Sequence, residues 1–88
     1  MTVKFEKEPH ARHTMIRVSG RLRSKHLDEL KVQLAEAQPR IVLDLNGVTL
    51  VDIEIVRFLN DCEDAGVELL NCRPYIREWM IRENEREE

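Results

Sequence analysis

Glycine is scarce in this 88-residue chain, and its three copies, Gly20, Gly47 and Gly66, stand alone. Isolated glycines build neither a Walker loop nor a dinucleotide fingerprint, because both need several close together to bring backbone amides onto a phosphate. Cysteine is limited to Cys62 and Cys72. One such pair matches neither a disulfide framework nor a zinc site, so both are read as small, buried, reduced thiols. Ser19 and Ser24 are the only serines, which leaves nucleophilic catalysis short of parts. No apolar run approaches the roughly 18 residues of a membrane span, since Asp44 and Asp52 interrupt the longest one. Met1 to Phe5 alternate apolar with polar and hold no secretory core, so the expected location is the cytoplasm. Positive charge is not in excess either. The 14 basic and 17 acidic residues give a net charge of −3, which argues against a dedicated nucleic-acid binder.

What is present is a soluble, highly charged globular domain, 42% apolar and 35% charged. Prolines and glycines fall between periodic segments and parse the chain. Val3, Phe5 and Lys7 alternate with Lys4 and Glu6, predicting a half-buried edge strand that Pro9 stops. Met15, Ile16 and Val18 predict a second strand ending at Gly20 and able to pair antiparallel with the first. Ser24 is placed to cap a helix with Asp28 in its first turn, whose stripe of Leu27, Leu30, Leu34 and Ala35 faces the sheet until Pro39 closes it. Ile41 to Leu45 form an unbroken run with one acid in it, the pattern of a central strand covered on both faces. Asn46-Gly47 then starts a strand-to-helix connection through Val48–Val51.

Asp52 is placed to cap a second helix carrying Ile55, Val56, Leu59 and Cys62 inward, with Gly66 as its left-handed terminator. Val67 to Leu70 predict a fourth strand. Pro74 opens a last helix with Tyr75, Ile76, Trp79 and Met80 on its apolar face. The order is β-β-α-β-α-β-α, an α/β domain over residues 1–81 with a four-stranded mixed sheet, parallel at its centre, and about three helices. Residues 82–88 are expected to be a frayed, charged tail.

Charge is unevenly spread. Between His10 and Lys25 stand five cations (Arg12, Arg17, Arg21, Arg23, Lys25) and no acid; between Asp52 and Glu68 stand six acids and only Arg57. These are either two solvated faces or surfaces that meet each other or a partner. Asp44, Asp52 and Glu54 are expected around the end of the central strand, where open α/β sheets bind ligands. Three acids can hold a cation or move a proton. Their plain structural jobs are hydrogen bonding at the strand end for Asp44, capping for Asp52 and matching the helix dipole for Glu54. Cys72, before a helix start and beside Arg73, has the setting of a lowered thiol pKa, yet it ends an apolar strand without a histidine nearby in sequence. His10 and His13 lack a third ligand, His26 has no evident role, and neither metal nor cofactor is expected.

From Ile16 to about Met80 the chain resembles the STAS domain of bacterial anti-sigma factor antagonists. The matching stretches are Val18-Ser19-Gly20-Arg21-Leu22, Ile41 to Val48 with its Asp44-Leu45-Asn46-Gly47-Val48, Val51-Asp52, and Gly66 to Leu69. In antagonists of that family the last Asp is followed by Ser-Ser-Gly, and a partner kinase that doubles as the anti-sigma factor phosphorylates the second serine. Here Asp52 is followed by Ile53, Glu54 and Ile55, so the resemblance puts Glu54 at the phosphorylated position and leaves nothing to phosphorylate. Where the family often has an acid near that site, this chain has Arg23. The resemblance places Arg23 and Glu54 near each other, and an ion pair between them is expected.

The resemblance implies a non-enzymatic regulatory module, related to signalling and transcription control in bacteria. Its docking surface would comprise Asp52, Ile53, Glu54, Ile55, Arg57 and Arg23, supported at the strand end by Asp44, Asn46 and Gly47. The partner it implies is a protein, either an anti-sigma kinase or a component of a sensory or transport complex, with no nucleic acid and no inserted membrane segment. The alternative is a module sensing a small ligand or lipid in a cleft between strand ends and helices. A homodimer through the edge strand at Val3 and Phe5 is compatible with either.

Overall fold

The computed structural model describes residues 3–36 and 40–86. Strand β1 (Lys4–Pro9) and strand β2 (Thr14–Leu22) pair antiparallel, with Phe5 opposite Val18 and Pro9 opposite Thr14. A 3-10 turn (Ser24–His26) leads into α1 (Leu27–Glu36), followed by β3 (Ile41–Val51), α2 (Ile53–Asp64), β4 (Glu68–Leu70) and α3 (Pro74–Arg86). The sheet order is β1-β2-β3-β4, with β3 parallel to both β2 and β4, so the mixed α/β architecture is as expected.

Alternation sets which face is buried. Ile16 and Val18 of β2 and Leu43 and Leu45 of β3 point one way and are fully covered. Leu30 of α1, Ile55, Val56 and Leu59 of α2, and Ile76 and Met80 of α3 join the same cluster. All three helices therefore pack into one core; the crossovers β2-α1-β3 and β3-α2-β4 step the same way across the sheet, which puts α1 and α2 on the same face, and α3 joins them after β4. The expectation that β3 is covered on both faces is corrected. Its other face holds the buried Val42 but is otherwise polar, with Asp44 and Asn46 beside Arg17 and Glu6, and carries no helix among the described residues; Arg17 reaches Glu8 at 3.3 Å and Asp44 at 3.9 Å there. Such exposed pairs contribute at most about 1 kcal/mol each.

The strands run further than periodicity suggests. β2 passes through Gly20 to Leu22, and β3 continues through Asn46-Gly47 to Val51, where a connection was expected. β3 absorbs two extra residues against β2, one between the Arg17–Asp44 and Ser19–Gly47 pairs and one between Gly20–Val48 and Arg21–Leu50. Each bulge breaks the two-residue alternation that marks a strand in sequence.

Helix ends follow their local chemistry. Asp52 caps α2, its carboxylate accepting from Ile55 N–H at 3.1 Å. Gly66, at φ +95°, ends it; Gly66 N–H donates to Glu63 O and Val67 N–H to Cys62 O, the paired bonds of a Schellman motif. Ser24 is not a cap. Arg23 holds that position, and Ser24 gives its hydrogen bonds to Asp52. Ala35 is exposed rather than core-facing, and Pro39, expected to close α1, lies outside the described residues. The 82–88 segment, expected to fray, is helical through Arg86 with Glu83 buried; residues 87 and 88 lie outside the described residues.

Candidate functional site

The C-terminal ends of β2 and β3 and the starts of the 3-10 turn, α2 and α3 form one rim. Asp52 is its organising residue. One oxygen accepts from Ile55 N–H, and the other accepts from Ser24 N–H at 2.7 Å, which joins the 3-10 turn to the start of α2. Partial burial by itself raises the Asp52 pKa, but hydrogen bonds from Ser24 N–H, Ile55 N–H and the Ser24 side chain outweigh it and hold the carboxyl below its ordinary value. Its lone pairs are spent on structure.

Glu54 stands in the first turn of α2 with 55% of its side chain exposed. The expected pair with Arg23 does not form. Glu54 instead lies 4.0 Å from Arg57, its neighbour three residues along the helix, because that spacing stacks two side chains on one helix face. Arg57 also reaches Glu83 of α3, whose side chain is 7% exposed, at 3.5 Å. Arg57 thus bridges an exposed and a buried carboxylate, linking the rim to the packing of α2 on α3.

The other expected site residues separate. Ile53 is half-buried at the rim, whereas Ile55 is fully buried, because three residues on from the cap the helix has turned inward. Asp44 and Asn46 are not at a strand end: β3 runs seven residues past Asp44, which sits on the open sheet face and accepts from Asn46 N–H at 2.9 Å and from Asn71 Nδ2 at 3.1 Å. Asn71 itself adopts the left-handed backbone (φ 56°) that Asn tolerates, at the end of β4. Gly47 faces Ser19 across the β2–β3 pair. Asp44, Asp52 and Glu54 therefore do not form one carboxylate cluster, and among the described residues no group of three His, Cys, Asp or Glu side chains is placed to hold a metal.

The rim also contains residues that pattern reading passed over. β4 pairs only with Val42 to Asp44, so the later carbonyls of β3 have no strand beside them. Side chains from the start of α3 fill in: Arg73 Nε donates to Val48 O at 2.6 Å, and Tyr75 OH to Thr49 O at 2.9 Å. That bond explains why Tyr75, expected in the core, is 45% exposed. Leu50, 42% exposed, stands next to Thr49. The second bulge makes Thr49 and Leu50 successive exposed positions, a pattern that strict alternation does not reveal.

The basic and acidic segments are not joined by an ion pair among the described residues: Arg17 pairs with Glu8 and Asp44, and Glu63 with Arg77 at 2.7 Å. Cys72 is not activated. Burial pushes its thiol up, the Arg77 charge lowers it and Glu63 raises it, while Arg73 is occupied at Val48. Burial, with Asp61 and Glu63, pushes the Cys62 thiol up to about 12. Cys62 is accordingly expected to resist iodoacetamide at pH 8 in the folded protein and to react on unfolding, read by mass spectrometry; rapid labelling under native conditions would contradict its burial.

A four-stranded mixed sheet with all its helices on one face, and a rim built by capping, defines a small single-sheet α/β module. The chain matches the family model described as "Mlab, STAS domain" over residues 5–78 and belongs to the STAS domain family, as its motifs indicate. Neither a curated protein nor a solved structure matches it. No helix among the described residues is long and apolar enough to cross a membrane.

Proposed function

We propose that this STAS domain is a non-enzymatic docking module whose rim at the start of α2 is recognised by a protein partner. One observation carries the reading: the position that the family resemblance assigns to a phosphorylated serine holds an exposed glutamate, set beside Arg57. The same rim exposes Leu50 and Tyr75 and half-buries Ile53, apolar groups among charged ones, the composition of a specific interface. Glutamate supplies one charge where phosphoserine carries nearly two, so Glu54 acts as a fixed feature rather than a switch. Asp52, the acid two positions before it, has a structural role instead, since its carboxylate already accepts from Ser24 N–H and Ile55 N–H. The two free cysteines support a reducing compartment, the cytoplasm. The partner is an anti-sigma-type kinase or a component of a sensory or transport complex.

A ligand-sensing module finds less support at this rim. The apolar groove of about 400 Å³ lined by Leu34, Ala35, Phe58, Cys62 and Val67 lies along α1 and the C-terminal half of α2, at the other end of that helix.

The test is affinity capture from native lysate with wild type, Glu54→Lys, Leu50→Asp and an off-rim control, Glu29→Lys. One protein retained by wild type and control, and lost with both rim variants, is the expected result, with capture weakening as salt rises toward physiological strength. A capture profile unaffected by either rim variant would overturn the proposal.

A further inference from the structure

Beside the docking rim lies a cleft of different chemistry. Arg21 near the end of β2, Arg23, Lys25 and His26 line a space of about 170 Å³. Four arginines of this protein have acidic partners: Arg17 has Glu8 and Asp44, Arg57 has Glu54 and Glu83, Arg77 has Glu63 and Arg82 has Glu78. Among the described residues none of Arg21, Arg23 and Lys25 forms an ion pair, although the chain holds more acids than bases. Three like charges have been brought to one cleft, and no carboxylate forms an ion pair with any of them among the described residues. The acid in contact with this segment, Asp52, already accepts from Ser24 and Ile55.

The segment is also held in shape. Arg23 N–H donates to His26 Nδ1 at 3.0 Å, while His26 N–H donates to Arg23 O at 2.8 Å. Because Nδ1 is an acceptor, the neutral imidazole carries its proton on Nε2, a further donor. Two guanidinium forks, an ammonium and an imidazole N–H make a set of donors, and the acceptor among these side chains, His26 Nδ1, is taken up by Arg23 N–H.

We propose that this cleft binds a phosphate monoester. Its size suits one compact anionic group rather than an extended ligand. A phosphate monoester carries nearly two negative charges at neutral pH, against one for a carboxylate, and so offsets three cations better. Its oxygens also match the planar fork of arginine, which binds phosphate through two parallel hydrogen bonds. The inference does not rest on the docking reading, and the two experiments fail independently.

The test uses the full chain and backbone amide NMR. Inorganic phosphate and glycerol phosphate are titrated at constant ionic strength against chloride, and binding to phosphatidylcholine vesicles is measured with and without phosphatidic acid. Saturable shifts confined to residues 21–26 are expected. Arg23→Gln should weaken binding about 10-fold, as loss of one charge-assisted contact does, while Arg12→Gln, at the other end of β2, leaves it unchanged. Both substituted residues are exposed, and an unchanged spectrum elsewhere shows that the variants fold. Binding seen with soluble esters identifies a soluble phosphate; binding seen only with phosphatidic acid, and lost in Arg23→Gln, identifies a lipid headgroup. Absence of saturable binding to every probe, equal shifts around Arg12 and Arg40, or indifference to Arg23→Gln would overturn the proposal.

Discussion

Gly47→Ala should lower the stability of this domain by about 2 kcal/mol, a fall of about 10 °C in Tm for a chain of this length. The cause is space, not torsion, since Gly47 is not among the glycines with positive φ. A Cβ built on Gly47 meets Ser19 Cβ at 2.6 Å and Ser19 Cα at 3.2 Å, so it can be housed only if β2 and β3 move apart. Those two central strands carry Ile16, Val18, Leu43, Leu45 and Val48, and prising them apart disturbs the whole core. The strain exceeds the few tenths to 1 kcal/mol that alanine gains by restricting the unfolded chain. Ser19→Gly removes the nearer obstacle but leaves Ser19 Cα and Val18 O close by, so the double variant should recover part of the loss, with coupling of about 1 kcal/mol in a double-mutant cycle. Thermal and urea unfolding measure both quantities. An unchanged Tm in Gly47→Ala would mean that the strands do not approach this closely.

The second large effect belongs to Asp52. Asp52→Ala removes a helix cap and leaves Ser24 N–H without its acceptor, for a loss of about 2 kcal/mol at pH 7. Asn keeps an acceptor in the cap position, so Asp52→Asn should cost about half as much. The pH dependence follows from the direction of the pKa. Hydrogen bonds hold the folded carboxyl below its ordinary value of 3.8, so the ionised form favours folding above the unfolded pKa, and that contribution disappears as pH falls through the folded pKa. The stability gap between wild type and Asp52→Ala should be full at pH 7 and pH 5 and narrow below about pH 4. Urea titrations at pH 7, 5 and 3 check this. A gap that stays constant or widens at pH 3 would show that the charge on Asp52 does not stabilise the fold.

Gly47 and Asp52 belong to the stretches that make this chain resemble its family, as does Asp44, and each has a structural task in this molecule. Asp44 ties β3 to Asn71 at the end of β4, Gly47 lets β2 and β3 approach, and Asp52 joins the 3-10 turn to α2. What remains for recognition is the layer resting on that frame: Leu50, Ile53, Glu54, Arg57 and Tyr75, and the cationic cleft, whose Arg21 lies opposite Leu50 across the β2–β3 pair. Because Asp52 holds the 3-10 turn against α2, its replacement should alter the relative position of both surfaces.

By itself the amino-acid pattern determined the order of elements, the inward residues of α2, the cap at Asp52, the terminator at Gly66 and the family. Each of these rests on local rules: the spacing of apolar residues, the preference of Asp for a cap, the tolerance of glycine for positive φ. The tertiary structure decided the rest. Arg23 and Glu54 do not pair, because a pair across elements depends on how those elements are set, whereas Glu54 and Arg57, three apart on one helix, meet by a local rule. Bulges, shown only by pairing β2 with β3, turned Leu50 outward. The shortness of β4 left two carbonyls of β3 for Arg73 and Tyr75 and so drew Tyr75 out of the core. Cations spread over five positions of chain became one cleft because the end of β2 and a 3-10 turn fold together, which is a property of three-dimensional register and not of spacing along the chain.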